Sequence, residues 1–180
     1  TTEAGRRLAA LGFSDADGAL RHIDALTSGL SRRAALQRTL LPVLLSEFAD
    51  APDPDGGLLA YRRLSDLLGS THWYLRFLRD EGAVATRLAY LLGTSKYVAR
   101  LLARAPEALR LLADDTALRP RAGAEIAAEM RDAAGRQDDP AEAVAVVRGV
   151  RRHELLRTAF ADLLGKLDVT EACDAVSAIT

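Results

Sequence analysis

The chain has 180 residues, 49% hydrophobic and 27% charged, with a formal net charge of −1 at pH 7. That apolar fraction suffices for the core of one domain or two small helical ones, and the balanced charge excludes a globally basic nucleic-acid binder. No apolar run approaches the roughly 18 residues that span a bilayer, which excludes a membrane-spanning segment, and no membrane partner is expected.

Ala and Leu supply 34 and 31 residues, against three Ile and nine Val. This is a helix-former composition, poor in the β-branched and aromatic residues that strands favour. Helix signals follow one another from the start. Residues 3–11 form a short helix stopped by Gly12, and Ser14 or Asp15 caps a second that runs to about Leu26. Ser31 caps a third carrying Leu36, Leu40, Leu41, Leu44, Leu45 and Phe48, with Pro42 expected to kink it. The Pro- and Gly-rich stretch 50–57 is the clearest loop, and Asp53-Pro54 then opens a helix through Tyr61 and Leu64, stopped by Gly69. Trp73, Tyr74, Phe77 and Leu78 lie on a shorter helix, where the i, i+3, i+4 spacing of the last three reads as a core stripe rather than a ligand pocket. Helices over 83–92 and 94–102 follow, with Gly93 as a stop and Thr94 as a cap, then a short one over 106–112.

Residues 114–121 read as a loop, and 125–134 as a modest Ala-rich helix. Asp139-Pro140-Ala141-Glu142 then opens the longest element, which closes near Gly165. About 26 residues at 1.5 Å each make a rod of roughly 39 Å. Its apolar face changes side: Ala143, Val146, Val147 and Val150 cluster on one side, and Leu155, Leu156, Ala159, Phe160, Leu163 and Leu167 nearly opposite. Such a helix packs against two bodies or breaks near Gly149. Asp168-Val169-Thr170-Glu171 is a capping box that starts a last helix. The expected fold is an all-α array of about ten helices with one long helix near the C-terminus. It forms either one segment, 1–180, or two sub-units, 1–113 and 121–180.

Chemistry-bearing motifs are sparse. His22, His72 and His153 are scattered over three helices with no second His or Cys at ligand spacing, so they read as surface or hydrogen-bonded histidines. Cys173 excludes an internal disulfide, fits a reducing compartment, and is expected as a small core residue. Gly69-Ser70 followed by Asp80-Glu81, and Asp15-Ala16-Asp17, mimic parts of a nucleotidyltransferase signature. That chemistry needs a Gly-Ser turn followed by two strand-borne carboxylates spaced D-x-D to hold metal ions. Neither fragment has both parts, and helix capping explains each. No P-loop, dinucleotide-binding fingerprint or nucleophile elbow occurs. No catalytic, cofactor-binding or metal-ligating residue is therefore expected. The best functional candidates are Arg148, Arg151, Arg152, His153 and Arg157, which gather where the long helix changes face. A solvated face is the plain reading, and contact with an acidic partner surface or a phosphate is the sharper one.

At these residues the chain resembles a known family. The run from Val147 to Gly165, VRGVRRHELLRTAFADLLG, is similar to bacterial glutamine synthetase adenylyltransferase. So are Thr94–Tyr97, Leu101–Glu107, Ala19–Leu26 and Thr71–Arg76, in the same order, with the actinobacterial branch nearest. The resemblance covers essentially the whole chain. It implies a bifunctional parent with two nucleotidyltransferase domains joined by a helical region. One domain would transfer AMP from ATP to a tyrosine of glutamine synthetase with Mg²⁺, and the other would remove it by phosphorolysis. This chain matches the helical region, so ATP and Mg²⁺ belong to the parent and not to this segment. The implied partners are the flanking catalytic domains, glutamine synthetase and the signal protein PII, in the cytoplasm. The segment alone is expected to be inactive. The alternative is a free-standing helical adaptor or scaffold. A start at Thr1, with Met130 as the sole methionine, suggests an excised piece of a longer protein, or a processed one.

Overall fold

The structure, a computed structural model, describes residues 2–69, 71 and 73–179. Ser70 and His72, named above, lie outside them. The described residues form ten α-helices and two 3₁₀ helices, with no strand among them. The all-α expectation holds. The α-helices are α1 (Glu3–Ala10), α2 (Ala16–Thr27), α3 (Arg32–Ala49), α4 (Pro54–Leu67), α5 (Trp73–Asp80), α6 (Gly82–Thr94), α7 (Lys96–Leu102), α8 (Gly123–Gly135), α9 (Pro140–Leu163) and α10 (Val169–Ile179). The 3₁₀ helices, Pro106–Ala113 and Asp115–Leu118, lie between α7 and α8. The chain divides into two compact units, Thr1–Pro106 and Glu107–Thr180.

In the first unit α3, α4 and α6 enclose the core. Leu44, Phe48, Leu58, Leu88 and Leu91 are fully buried. Two glycines let α4 and α6 approach. A Cβ on Gly57 would stand 2.7 Å from Phe48 Cδ1 and 3.0 Å from Gly93 Cα, and one on Gly93 would stand 2.5 Å from Ala51 Cβ. Gly93 is thus a packing residue and not the expected helix stop, because α6 continues through it to Thr94. The cap of α7 is correspondingly Ser95, whose hydroxyl accepts from Val98 N at 3.2 Å, and not Thr94. Asp15 and Asp53 cap α2 and α4 through Gly18 N and Gly56 N. Asp55 reaches back from α4 to accept from Ser14 N at 2.7 Å and Asp15 N at 3.2 Å, joining the starts of α2 and α4.

Within this core lies a closed polar network. Tyr61 Oη donates to Gln37 Oε1 at 2.7 Å, and Gln37 Nε2 donates to Ser65 Oγ at 3.2 Å. Arg33 Nη2 donates to the Ser65 carbonyl at 2.8 Å. Gln37 and Ser65 are completely buried, so these bonds replace the water each group gave up. Burial pushes the Tyr61 phenol well above its ordinary value and raises that of Tyr74 as well. Tyr74 and Leu78 are buried as the core-stripe reading expects, and Phe77 is half-buried against Trp73 with ring centroids 6.2 Å apart.

The second unit contains the first 3₁₀ helix from Glu107 on, the second 3₁₀ helix, and α8, α9 and α10. The expected short helix over 106–112 is 3₁₀, and the expected loop contains a 3₁₀ turn fixed by Asp114, whose carboxylate accepts from Thr116 N at 2.8 Å. The capping box before α10 is reciprocal: Asp168 N donates to Glu171 Oε2 and Glu171 N to Asp168 Oδ1, both at 2.8 Å. Cys173 is exposed, contrary to expectation. The buried side of α10 is carried by Ala175 and Ile179, one turn apart, and Cys173 lies off that stripe.

Candidate functional site

The long helix α9 runs unbroken for 24 residues, straight through Gly149. The Asp139 carboxylate accepts from Ala141 N at 3.1 Å at its start, and Gly165 turns the chain at φ +68° after its end. No residue between 140 and 153 is buried; Ala143, Val146, Val147 and Val150 are only half-covered. Burial begins at Glu154. Glu154, Thr158 and Ala161 share one side at i, i+4 and i+7, and Leu156 and Phe160 share nearly the opposite side; all five are buried. The C-terminal half is therefore buried on two sides, and α9 as a whole packs against α8, α10 and the turn Asp115–Leu118.

Glu154 is only 2% exposed and organises that half. Its Oε2 accepts from Arg157 Nε at 3.0 Å, and its Oε1 accepts from Arg121 Nη1 at 3.2 Å. Arg157 Nη1 also donates to the Ala117 carbonyl, on the 3₁₀ turn. Arg121, just ahead of α8, continues outward to Glu129 and lies 3.8 Å from Glu125. Hydrogen bonds to Glu129 and Glu154 push the Arg121 guanidinium above its ordinary value. One buried carboxylate thus ties the start of α8, the 3₁₀ turn and the middle of α9 together. Lys166, past the end of α9, adds a bond to Asp115 at 2.7 Å.

The five candidates on α9 differ in burial along the helix. Arg157 is inside this network, its side chain 13% exposed. Arg148 and Arg151 are exposed on the half of the helix without buried residues, while Arg152 and His153, between them and Arg157, are half-buried. Glu154 escaped the sequence reading because an acid beside Arg152 and Arg157 looks like part of a solvated face. The available signal was its place at i, i+4, i+7 with Thr158 and Ala161.

The carboxylates of the fragments that mimic a nucleotidyltransferase signature stand at the start of α2 and the end of α5. Asp15 is spent on its cap, Asp17 is exposed in the first turn of α2, and Asp80 at the end of α5 is paired with Arg79 at 2.6 Å. Among the described residues no group of three or more His, Cys, Asp or Glu could hold a metal ion. His22 accepts at Nδ1 from Arg62 Nη1 at 2.9 Å, a hydrogen-bonded histidine. Among the described residues no helix is long and apolar enough to cross a membrane.

Comparison with known proteins gives the chain its relatives. The bifunctional glutamine synthetase adenylyltransferase/adenylyl-removing enzyme of Streptomyces coelicolor is 57% identical over 166 residues, 91% of this chain and 17% of that protein. The enzymes of the same name from Streptomyces avermitilis and Leifsonia xyli are 52% and 49% identical over 93% and 99% of this chain. The chain thus spans less than a fifth of the length of these curated relatives, 17 to 18%. No solved structure matches. A model of the glutamate-ammonia ligase adenylyltransferase family matches residues 85–180, more than half of the sequence and all of α7 to α10, and the chain belongs to that family.

Proposed function

We propose that the chain is a non-catalytic helical segment of a glutamine synthetase adenylyltransferase, joining and regulating the catalytic parts of the longer enzyme. That enzyme, in this reading, moves AMP from ATP to a tyrosine of glutamine synthetase with Mg²⁺ and removes it by phosphorolysis, in the cytoplasm. The flanking nucleotidyltransferase domains, glutamine synthetase and PII are its partners. The observation that carries the reading is the two-part character of α9. Its C-terminal half is buried on two sides and anchored on one of them through Glu154, while its N-terminal half keeps Arg148 and Arg151 exposed. A helix built this way holds one end firm and offers the other to a neighbour. The capping roles of Asp15 and the pairing of Asp80 support the non-catalytic part of the reading.

The test is Gly149→Pro in the full-length enzyme. Proline removes a backbone donor in mid-helix and costs about 3 kcal/mol there. Adenylylation and its reversal, each assayed with glutamine synthetase, should persist while their response to glutamine and PII is lost. Intact regulation in this variant would overturn the proposal, as would AMP transfer by the 180-residue chain alone.

A further inference from the structure

Between α4 and α7 the first unit carries an open groove of about 410 Å³. Its buried lining consists of Leu64, Leu92 and Leu102. Its rim is basic, with Arg63 on one wall and Lys96 and Arg100, one turn apart, on the other, and no acid lines it. Lys96 reaches Asp53 at 3.2 Å while remaining 85% exposed. Arg63 and Arg100 have no ion-pair partner among the described residues. In a chain with 24 basic and 25 acidic residues, three cations around an acid-free apolar floor are a local arrangement and not a reflection of overall charge.

The placement of the polar groups selects the kind of occupant. A small-molecule pocket fixes its ligand with a few inward, precisely placed polar groups. Here the three cationic residues are exposed on the rim, and the buried lining is leucine. An apolar floor between two cationic walls is the complement of an amphipathic helix that carries carboxylates on both sides of its apolar stripe. We propose that the groove between α4 and α7 docks an acidic amphipathic helix of a partner protein. This inference is independent of the role assigned to α9.

The experiment is selection from a displayed library of helix-forming peptides on the 180-residue chain. Recovered peptides should combine apolar residues at i, i+3 and i+4 with flanking Asp and Glu. Arg63→Glu/Arg100→Glu should weaken their binding at least about tenfold, and Ala103→Trp, which fills the groove from its exposed wall, should do the same. Arg148→Glu/Arg151→Glu on α9 should leave binding unchanged, with circular dichroism confirming each fold. Recovery of no peptide, recovery of peptides without acid enrichment, or binding indifferent to both groove variants would overturn the proposal. So would sodium octanoate saturating the groove more tightly than any peptide, the mark of a small anionic amphiphile. A concentration-dependent dimer abolished by the double variant would assign the groove to a second copy instead and would equally overturn it.

Discussion

Neutralising Glu154 leaves Arg157 mostly buried beside an amide that no longer balances it. Breaking a buried pair by removing one partner costs about 3 to 5 kcal/mol, because the remaining charge has lost both water and counter-charge. Glu154→Gln should therefore lower the urea midpoint of the second unit by several tenths of its value or more, followed by far-UV circular dichroism, whereas Arg148→Ala on the exposed half should stay within about 0.5 kcal/mol of wild type. His22 gives a second residue-scale expectation. Partial burial, with Arg62, Arg21 and Arg63 nearby, holds its imidazole below the ordinary 6.5, against the opposing pull of Asp15. The unfolded chain takes up this proton first as pH falls, so the folded state binds fewer protons below 6.5. His22 thus contributes no penalty above 6.5, and stability declines as pH falls from 6.5 toward the folded value. In His22→Gln that component should be absent from denaturation midpoints measured between about pH 7 and 5. An unchanged slope would contradict the assignment.

At the scale of helices, the crossing of α4 and α6 depends on missing side chains. Gly57→Ala would press a methyl group against the Phe48 ring and the Gly93 backbone. Overpacking of this kind costs about 1 to 3 kcal/mol, outweighing the smaller gain from replacing a helical glycine. A lowered thermal midpoint is expected, and a raised one would show that Phe48 yields easily. This crossing also marks where sequence reading failed. Starts of elements were legible, because Asp15, Ser31, Asp53, Asp139 and Asp168 act through their own chain neighbours. The same local logic makes Gly93 a stop, although its packing partner Ala51 is remote in sequence. The polar network of Gln37, Tyr61 and Ser65 was invisible for the same reason, since it joins α3 to α4 through bonds that no local spacing announces. On α9 the apolar stripe with Leu156 and Phe160 was legible, while the opposite buried side was hidden behind a charge and a threonine.

Across the whole chain, the two units differ in the substance of their cores. Eight of the nine aromatic residues precede position 107, and Phe160 is the sole exception. The second unit is packed largely by Ala, Leu and Ile, and half of its longest helix buries no residue. Helical signal should therefore begin to fall in denaturant before the fluorescence of Trp73, which reports only on the first unit. Coincident transitions would show that the two unfold as one body.

The half-embedded state of α9 has a mechanical consequence. From the Glu154 anchor to the cap at Asp139 the helix extends about 20 Å. A tilt of a few degrees at the anchored end would carry the far tip through an ångström or more, while the backbone hydrogen bonds along the shaft stay intact. Leverage of this kind needs no hinge, and it places the largest displacement on the stretch of α9 that holds no buried residue.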